Sequence, residues 1–143
     1  MGGIVFFDID TQHNFMHENG KFYVPEAKKI IPKLKKITDF AKKRKISVIA
    51  SIDGHKFNDN KKIPETILPN TKIIPNKRLS NNQLKKLLEE YYRFYILKQK
   101  HDVFSNPNLK LILNGTEEAY VYGVATDYCV KAAVLGLIKM GVE

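Results

Sequence analysis

The sequence predicts an α/β protein, a doubly wound parallel sheet with helices on both faces, on two observations. Short apolar runs of strand length alternate with longer stretches in which apolar residues recur at helical spacing. The short runs are apolar at successive positions rather than at every second one, as strands covered on both faces are.

Ile4 to Ile9 is the first such run, and residues 26–44 follow as a helix with Ile30, Ile31, Leu34, Ile37, Phe40 and Ala41 at helical spacing. Pro32 should kink that helix or mark its first true turn. Ile46 to Ile52 is the second strand. A polar, irregular stretch from Asp53 to Asn70 precedes a short Lys72-Ile-Ile74 segment, and Ser80 is placed to cap a helix carrying Leu84, Leu87 and Leu88. Arg93 to Leu97 makes a third strand. The turn-rich Ser105-Asn-Pro-Asn108 leads to a short helix near Leu109 to Leu113, stopped by Asn114-Gly115. The fourth strand, Ala119 to Val124, runs through Ala125-Thr-Asp-Tyr128 into a helix from Val130 to Met140. Right-handed crossovers would join these strands into one sheet. Gly141-Val-Glu143 resembles the entry to a further strand, so the expectation is a single domain over 1–143 that lacks a C-terminal strand and helix.

The chain is 143 residues long and 43% hydrophobic, enough for one core. It has no run of ~18 apolar residues to span a bilayer, and Gly3-Ile-Val-Phe-Phe7 is followed at once by aspartates rather than by a signal-peptide pattern. A soluble, cytoplasmic protein without a membrane partner is expected. The single cysteine excludes an internal disulfide framework and suits a reducing compartment. The formal charge of +9 is dispersed. Its largest group, between Lys28 and Lys45, alternates with apolar positions as a solvated helix face does, and no nucleic-acid-binding signature accompanies it. A specific nucleic-acid partner is therefore not expected, and homo-oligomerisation is left open.

In open α/β sheets, sites form outside the carboxyl ends of the strands. Here those ends carry Asp8 and Asp10, then Asp53 and His55, then Lys98 and Lys100, and finally Cys129. Each has a plain alternative. Asp10 alone would pass for a loop aspartate, Lys98 for a surface lysine, Asp53-Gly-His55 for a turn, and a free cysteine for a small buried hydrophobe. His13, His17 and His101 read as exposed loop residues. Together, though, a thiol, a carboxylate and an ammonium make a covalent-catalysis set. A thiol in the first turn of a helix also meets unpaired N–H groups and the positive dipole end, which favour thiolate. Asp8 and Asp10, two apart on a strand, are expected on one face, with only Asp10 at the carboxyl edge.

Four segments carry a resemblance, in order and over nearly the whole chain. Asp10-Thr-Gln12-His-Asn-Phe15 resembles the D-x-Q-x-x-F segment of the isochorismatase-like cysteine hydrolases, the family that includes nicotinamidase. Ser51-Ile-Asp53-Gly-His55 is similar to the S-x-D-x-H metal motif of nicotinamidases. Lys98-Gln-Lys-His-Asp-Val-Phe104 is similar to the catalytic-lysine segment, with Lys100 as the alternative lysine, and Gly123-Val-Ala-Thr-Asp-Tyr-Cys129-Val to the nucleophile motif.

The resemblance implies a three-layer αβα fold and hydrolysis of a small amide, with nicotinamide going to nicotinate and ammonia. Another amidase or a carbamoyl hydrolase is the alternative. It implies Cys129 as nucleophile, Asp10 as general base and Lys98 as the cation beside both. It further implies a cis peptide at Val124-Ala125, an oxyanion hole from the N–H groups of Ala125 and Cys129, and Phe15 at the substrate. Asp53 and His55 would hold a divalent ion, zinc, iron or manganese. The family's third ligand, a histidine, has no counterpart between His55 and His101, which suggests a loop missing after Asn60.

A rival of another class starts from Val5-Phe-Phe-Asp8-Ile-Asp10-Thr11. A strand ending in D-x-D resembles the first motif of haloacid-dehalogenase-type phosphohydrolases, in which Asp8 would attack phosphorus and Asp10 would handle the proton. No later acidic metal pair at a strand end supports it. A non-catalytic interaction protein on the same fold is the third possibility, because fold does not fix function.

Overall fold

A continuous parallel sheet of five strands in the order β3-β4-β2-β1-β5 organises the chain. The structure, a computed structural model, describes residues 3–20, 23–53, 71–98, 100 and 102–143. In chain order the elements are β1 (Gly3–Ile9), a single turn α1 (His13–Met16), α2 (Ala27–Lys43), β2 (Ser47–Asp53), β3 (Lys72–Ile74), α3 (Asn81–Glu90), β4 (Arg93–Lys98), α4 (Leu109–Ile112), β5 (Thr116–Gly123) and α5 (Lys131–Lys139). The fold class is as the sequence predicts. The strand count differs, because Lys72–Ile74 pairs with Phe94, Tyr95 and Ile96 as an edge strand rather than lying free.

The central strands are apolar on successive residues because both faces are covered. Val5, Phe7 and Ile9 of β1 join Ile49, Phe94 and Ile96 in the main core, closed by Leu84 of α3, Leu109 and Ile112 of α4, and Ala133 and Leu137 of α5. On the opposite face Phe6 and Val48 pack against Ala41 of α2, and Ile31 and Leu34 of α2 meet Met16 and Val124.

Pro32 lies inside α2, which continues through it, so the carbonyl of Lys28 loses its helical donor. Thr38, buried mid-helix, returns its hydroxyl to the Leu34 carbonyl at 2.8 Å. Ser80 caps α3 as expected, and Gln83 completes the reciprocal pair: Gln83 N–H donates to Ser80 Oγ and Ser80 N–H to Gln83 Oε1. Glu143 pairs with β5, accepting from Ala119 N–H and donating to the Glu117 carbonyl. No helix among the described residues is long and apolar enough to cross a membrane.

The chain passes from β1 to β2, skips one position to the edge strand β3, comes back to fill the gap with β4, and then crosses to the other side of β1 as β5. The winding reverses between β1 and β5, and a crevice opens outside the carboxyl ends of strands at such a reversal. Asp10 follows β1 and Cys129 follows β5, so both stand at that crevice.

Candidate active site

Asp10 stands just beyond β1 with a φ of 52°, a left-handed conformation that aspartate tolerates better than most residues. That turn decides which side of the sheet it serves. Asp8, still within the strand, lies on the α2 face, where it lines a small recess with Val48, Ala50 and Tyr95 and accepts from the Thr11 hydroxyl at 2.8 Å. Burial, and then the Asp8 charge, push the phenol of Tyr122 on this face above its ordinary value. The left-handed turn instead carries the Asp10 carboxylate to the face of Ser51 and Lys98. The expectation that the two aspartates share a face is therefore corrected: strand alternation stops at Ile9, before Asp10 is reached. The rival phosphohydrolase arrangement, which needs the two together, loses its geometry.

Lys98 ends β4 opposite Asp53 of β2 and is fully buried, at 0% exposure. It is no surface lysine. Its Nζ lies 3.0 Å from Asp10 Oδ2 and 3.9 Å from Asp53 Oδ2, and donates to Cys129 Sγ at 3.5 Å and to the Lys100 carbonyl at 3.1 Å. Of the two candidate lysines the structure thus brings Lys98 to the thiol, while Lys100 is exposed and contributes only its backbone. Two asparagines set the end of β4: Asn106 Nδ2 donates to the Leu97 and Pro75 carbonyls at 2.8 and 3.0 Å, and Asn108 Nδ2 to the Lys77 carbonyl at 2.8 Å. Both side chains are buried, and they tie the carboxyl ends of β3 and β4 to the turn before α4.

Cys129 is 7% exposed and lies in a wide π-type turn, Thr126–Val130, immediately before α5. Gly123 admits this chain path. Its φ is 131°, and a Cβ there would overlap the Ile9 carbonyl. The Val124-Ala125 peptide is cis, as the resemblance implies. The Ala125 carbonyl accepts from the N–H groups of Tyr128 and Val130, so Ala125 and Cys129 lie on one closed turn.

The electrostatics depart from the sequence expectation for the thiol. Burial, and next the negative charge of Asp10, push Cys129 up to about 12, with Lys98 acting against them. Desolvation thus outweighs any help to thiolate from the start of α5. Burial also raises the Asp10 carboxyl above the usual carboxylate value, against the opposing charge of Lys98 and the hydrogen bonds from Cys129 and Ser51. For Lys98 burial acts downward, but the charges of Asp10 and Cys129 overcome it and hold the ammonium above its ordinary value. The resting group is thus a buried ammonium beside a carboxyl and a thiol that both hold protons more readily than in water.

One ligand atom each of Asp10, Asp53 and Cys129 lies close enough to the others to share a metal ion, and of the two donors expected from the sequence only Asp53 is in this group. Lys98 Nζ stands 3.0 Å, 3.9 Å and 3.5 Å from one atom of each, so an ion at their centre would face that ammonium. Asp53, 27% exposed, is the member with an open side. Its predicted co-ligand His55 lies outside the described residues. Phe15 follows Gln12 on α1, half-buried against the Met16 and Val124 cluster. His17 is half-buried rather than exposed, and His101 lies outside the described residues.

Sequence reasoning assigned no role to two residues of the matched segments. Ser51 Oγ donates to Asp10 Oδ1 at 2.6 Å and accepts from Asp10 N–H at 3.1 Å. Gln12 pairs with the backbone of Asp53 as a strand would, its Nε2 donating to the carbonyl at 2.7 Å and its Oε1 accepting from the N–H at 2.9 Å. The only signal was their place in the matched segments, and each one holds a residue of the other segment.

The family model for the isochorismatase domain matches residues 5–143. No curated protein matches the chain. Among solved structures, a pyrazinamidase of Pyrococcus horikoshii in complex with zinc is 23% identical with a TM-score of 0.75, over 98% of this chain and 80% of that one. A nicotinamidase from Bacillus subtilis is 17% identical at a TM-score of 0.75, over 98% and 81%. An N-carbamoylsarcosine amidase from Thermoplasma acidophilum is 19% identical at 0.70, over 100% and 79%. At these identities the likeness is one of fold.

Proposed function

Since the chain belongs to the isochorismatase domain family, we propose that it hydrolyses a small amide through a Cys129 thioester, with nicotinamide as the first substrate to test. The observation that carries this reading is the buried contact of Lys98 Nζ with Asp10 Oδ2 at 3.0 Å and Cys129 Sγ at 3.5 Å. A lysine buried between a carboxylate and a thiol, at the carboxyl end of a strand, has no packing purpose that leucine would not serve better.

The chemistry follows from the protonation preferences. A thiol held near 12 is not a standing thiolate, so its proton must leave as sulfur attacks, and Asp10 is the acceptor. Sulfur bonds to the amide carbon, and the N–H groups of Ala125 and Cys129 receive the oxyanion. The C–N bond breaks as Asp10 returns the proton to nitrogen, and ammonia leaves. Asp10 then takes a proton from water, which attacks the thioester, and Cys129 regains its proton as the acid departs. Lys98 keeps its charge throughout and compensates whichever partner is anionic.

Asp53 and His55 are the residues we assign to a divalent ion, zinc, iron or manganese, which would supply an electrophilic anchor for the substrate. Phe15 is assigned to the substrate wall. The carbamoyl alternative is supported by the likeness to the N-carbamoylsarcosine amidase, and the substrate panel should include carbamoylated amines. The deciding experiment measures ammonia release from both amide classes by wild type, Cys129→Ala and Cys129→Ser. Turnover by wild type alone, with all three melting alike, is expected. Full ammonia release by purified Cys129→Ala would refute the mechanism.

A further inference from the structure

We propose that Ser51 is a positioning residue that makes Oδ2 of Asp10 the oxygen that takes the thiol proton; this rests on the amidase reading above. A carboxylate has two equivalent oxygens and turns easily about its last bond. If either oxygen could face the sulfur, the proton could settle on the wrong one. Ser51 removes that freedom. Its hydroxyl has one proton, given to Asp10 Oδ1 at 2.6 Å, while its oxygen receives Asp10 N–H at 3.1 Å. The side chain and the backbone of Asp10 are thus held by the same atom. Oδ2 alone is left for Lys98, at 3.0 Å.

The sheet register explains why residue 51 can do this. Ser51 pairs with Ile9, the last residue of β1, so its side chain stands beside the point where Asp10 turns away with a φ of 52°. The turned Asp10 N–H leaves the ladder, and the Ser51 hydroxyl replaces the lost acceptor. Ser51 itself is fully buried, so water does not compete for the hydroxyl.

The test combines kinetics with crystal structures of wild type, Ser51→Ala and Ser51→Thr. Ser51→Ala should lower kcat between about ten- and hundredfold, with KM within about twofold, since misorientation of a reacting group has costs of this size. Ser51→Thr keeps the hydroxyl and should recover most of the loss, which restored packing alone would not achieve. In crystals of Ser51→Ala the carboxylate should be rotated, with its contact to Lys98 lengthened. Should Ser51→Ala not fold, Ser51→Cys, similar in size but a weak donor, takes its place. Wild-type kcat in the hydroxyl-less variant, or an Asp10 carboxylate unmoved in its crystals, overturns the proposal. If wild type releases no ammonia from any amide, the amidase reading fails, and the carboxylate orientation in the two crystal structures alone decides the role of Ser51.

Discussion

Removing the Lys98 ammonium strands a buried carboxylate, and the size of that penalty can be worked from the structure. Lys98→Met keeps most of the volume but deletes the charge 3.0 Å from Asp10 Oδ2. At an effective dielectric constant of ~20 the gross attraction over that distance is about 5.5 kcal/mol. Asp10 is 1% exposed, so water cannot take over, and breaking such a pair from one side costs ~3–5 kcal/mol. That is a large share of the ~5–15 kcal/mol that stabilises a domain. Asp10→Asn in the same background removes the stranded charge while leaving an oxygen for Ser51, so the double variant should regain at least ~2 kcal/mol over Lys98→Met.

Urea unfolding of wild type, both single variants and the double variant at pH 7.5 measures the cycle. In Lys98→Met the folded-state carboxyl of Asp10 rises still further above its unfolded value near 3.8. A raised pKa contributes stability that is full below the unfolded value and is lost as pH rises through the folded one. The deficit relative to wild type should therefore shrink on acidification. Strictly additive costs, or a Lys98→Met penalty below ~1 kcal/mol, would refute the picture of a buried, mutually dependent pair.

The pH dependence of hydrolysis should show an acid limb above 3.8, because burial raises the carboxyl that must accept the thiol proton, and an alkaline limb above 10.5, where Lys98 loses its charge. A profile of kcat/KM against pH with an acid limb at or below 3.8 contradicts the burial argument. For the metal, elemental analysis of the purified protein beside Asp53→Ala and His55→Ala should find one divalent ion that both substitutions deplete. Metal content unaffected by both would leave Asp53-Gly-His55 an ordinary turn.

Sequence captured what depends on local pattern. The apolar runs of β1 and β2, the Ser80 cap and the Asn114-Gly115 stop, where Gly115 has a φ of 86°, needed nothing beyond near neighbours. β3 was missed as a strand because its three residues, with Ile73 exposed, carry too little pattern to distinguish pairing from loop. The face of Asp10 was hidden because alternation applies only while the backbone stays extended, and nothing in Ile-Asp-Thr announces a left-handed turn. The thiol was misjudged for a different reason: a helix start is visible in sequence, whereas the burial that outweighs it is a property of the assembled sheet. The Ser51 and Gln12 links fall in the same class, since both join residues 41 positions apart.

The strand order has a consequence for how the molecule is made. Every pairing in the sheet is parallel, so each requires a crossover before it can close, and among the described residues no contiguous stretch of chain forms two neighbouring strands by a tight turn. The thiol follows β5 and the ammonium ends β4, two strands separated by β2 and β1, so they meet only after the three intervening ladders have zipped. Helix content can return early in refolding, but the Lys98–Cys129 contact cannot. The approach of Lys98 to Cys129 thus marks the final stage of assembly.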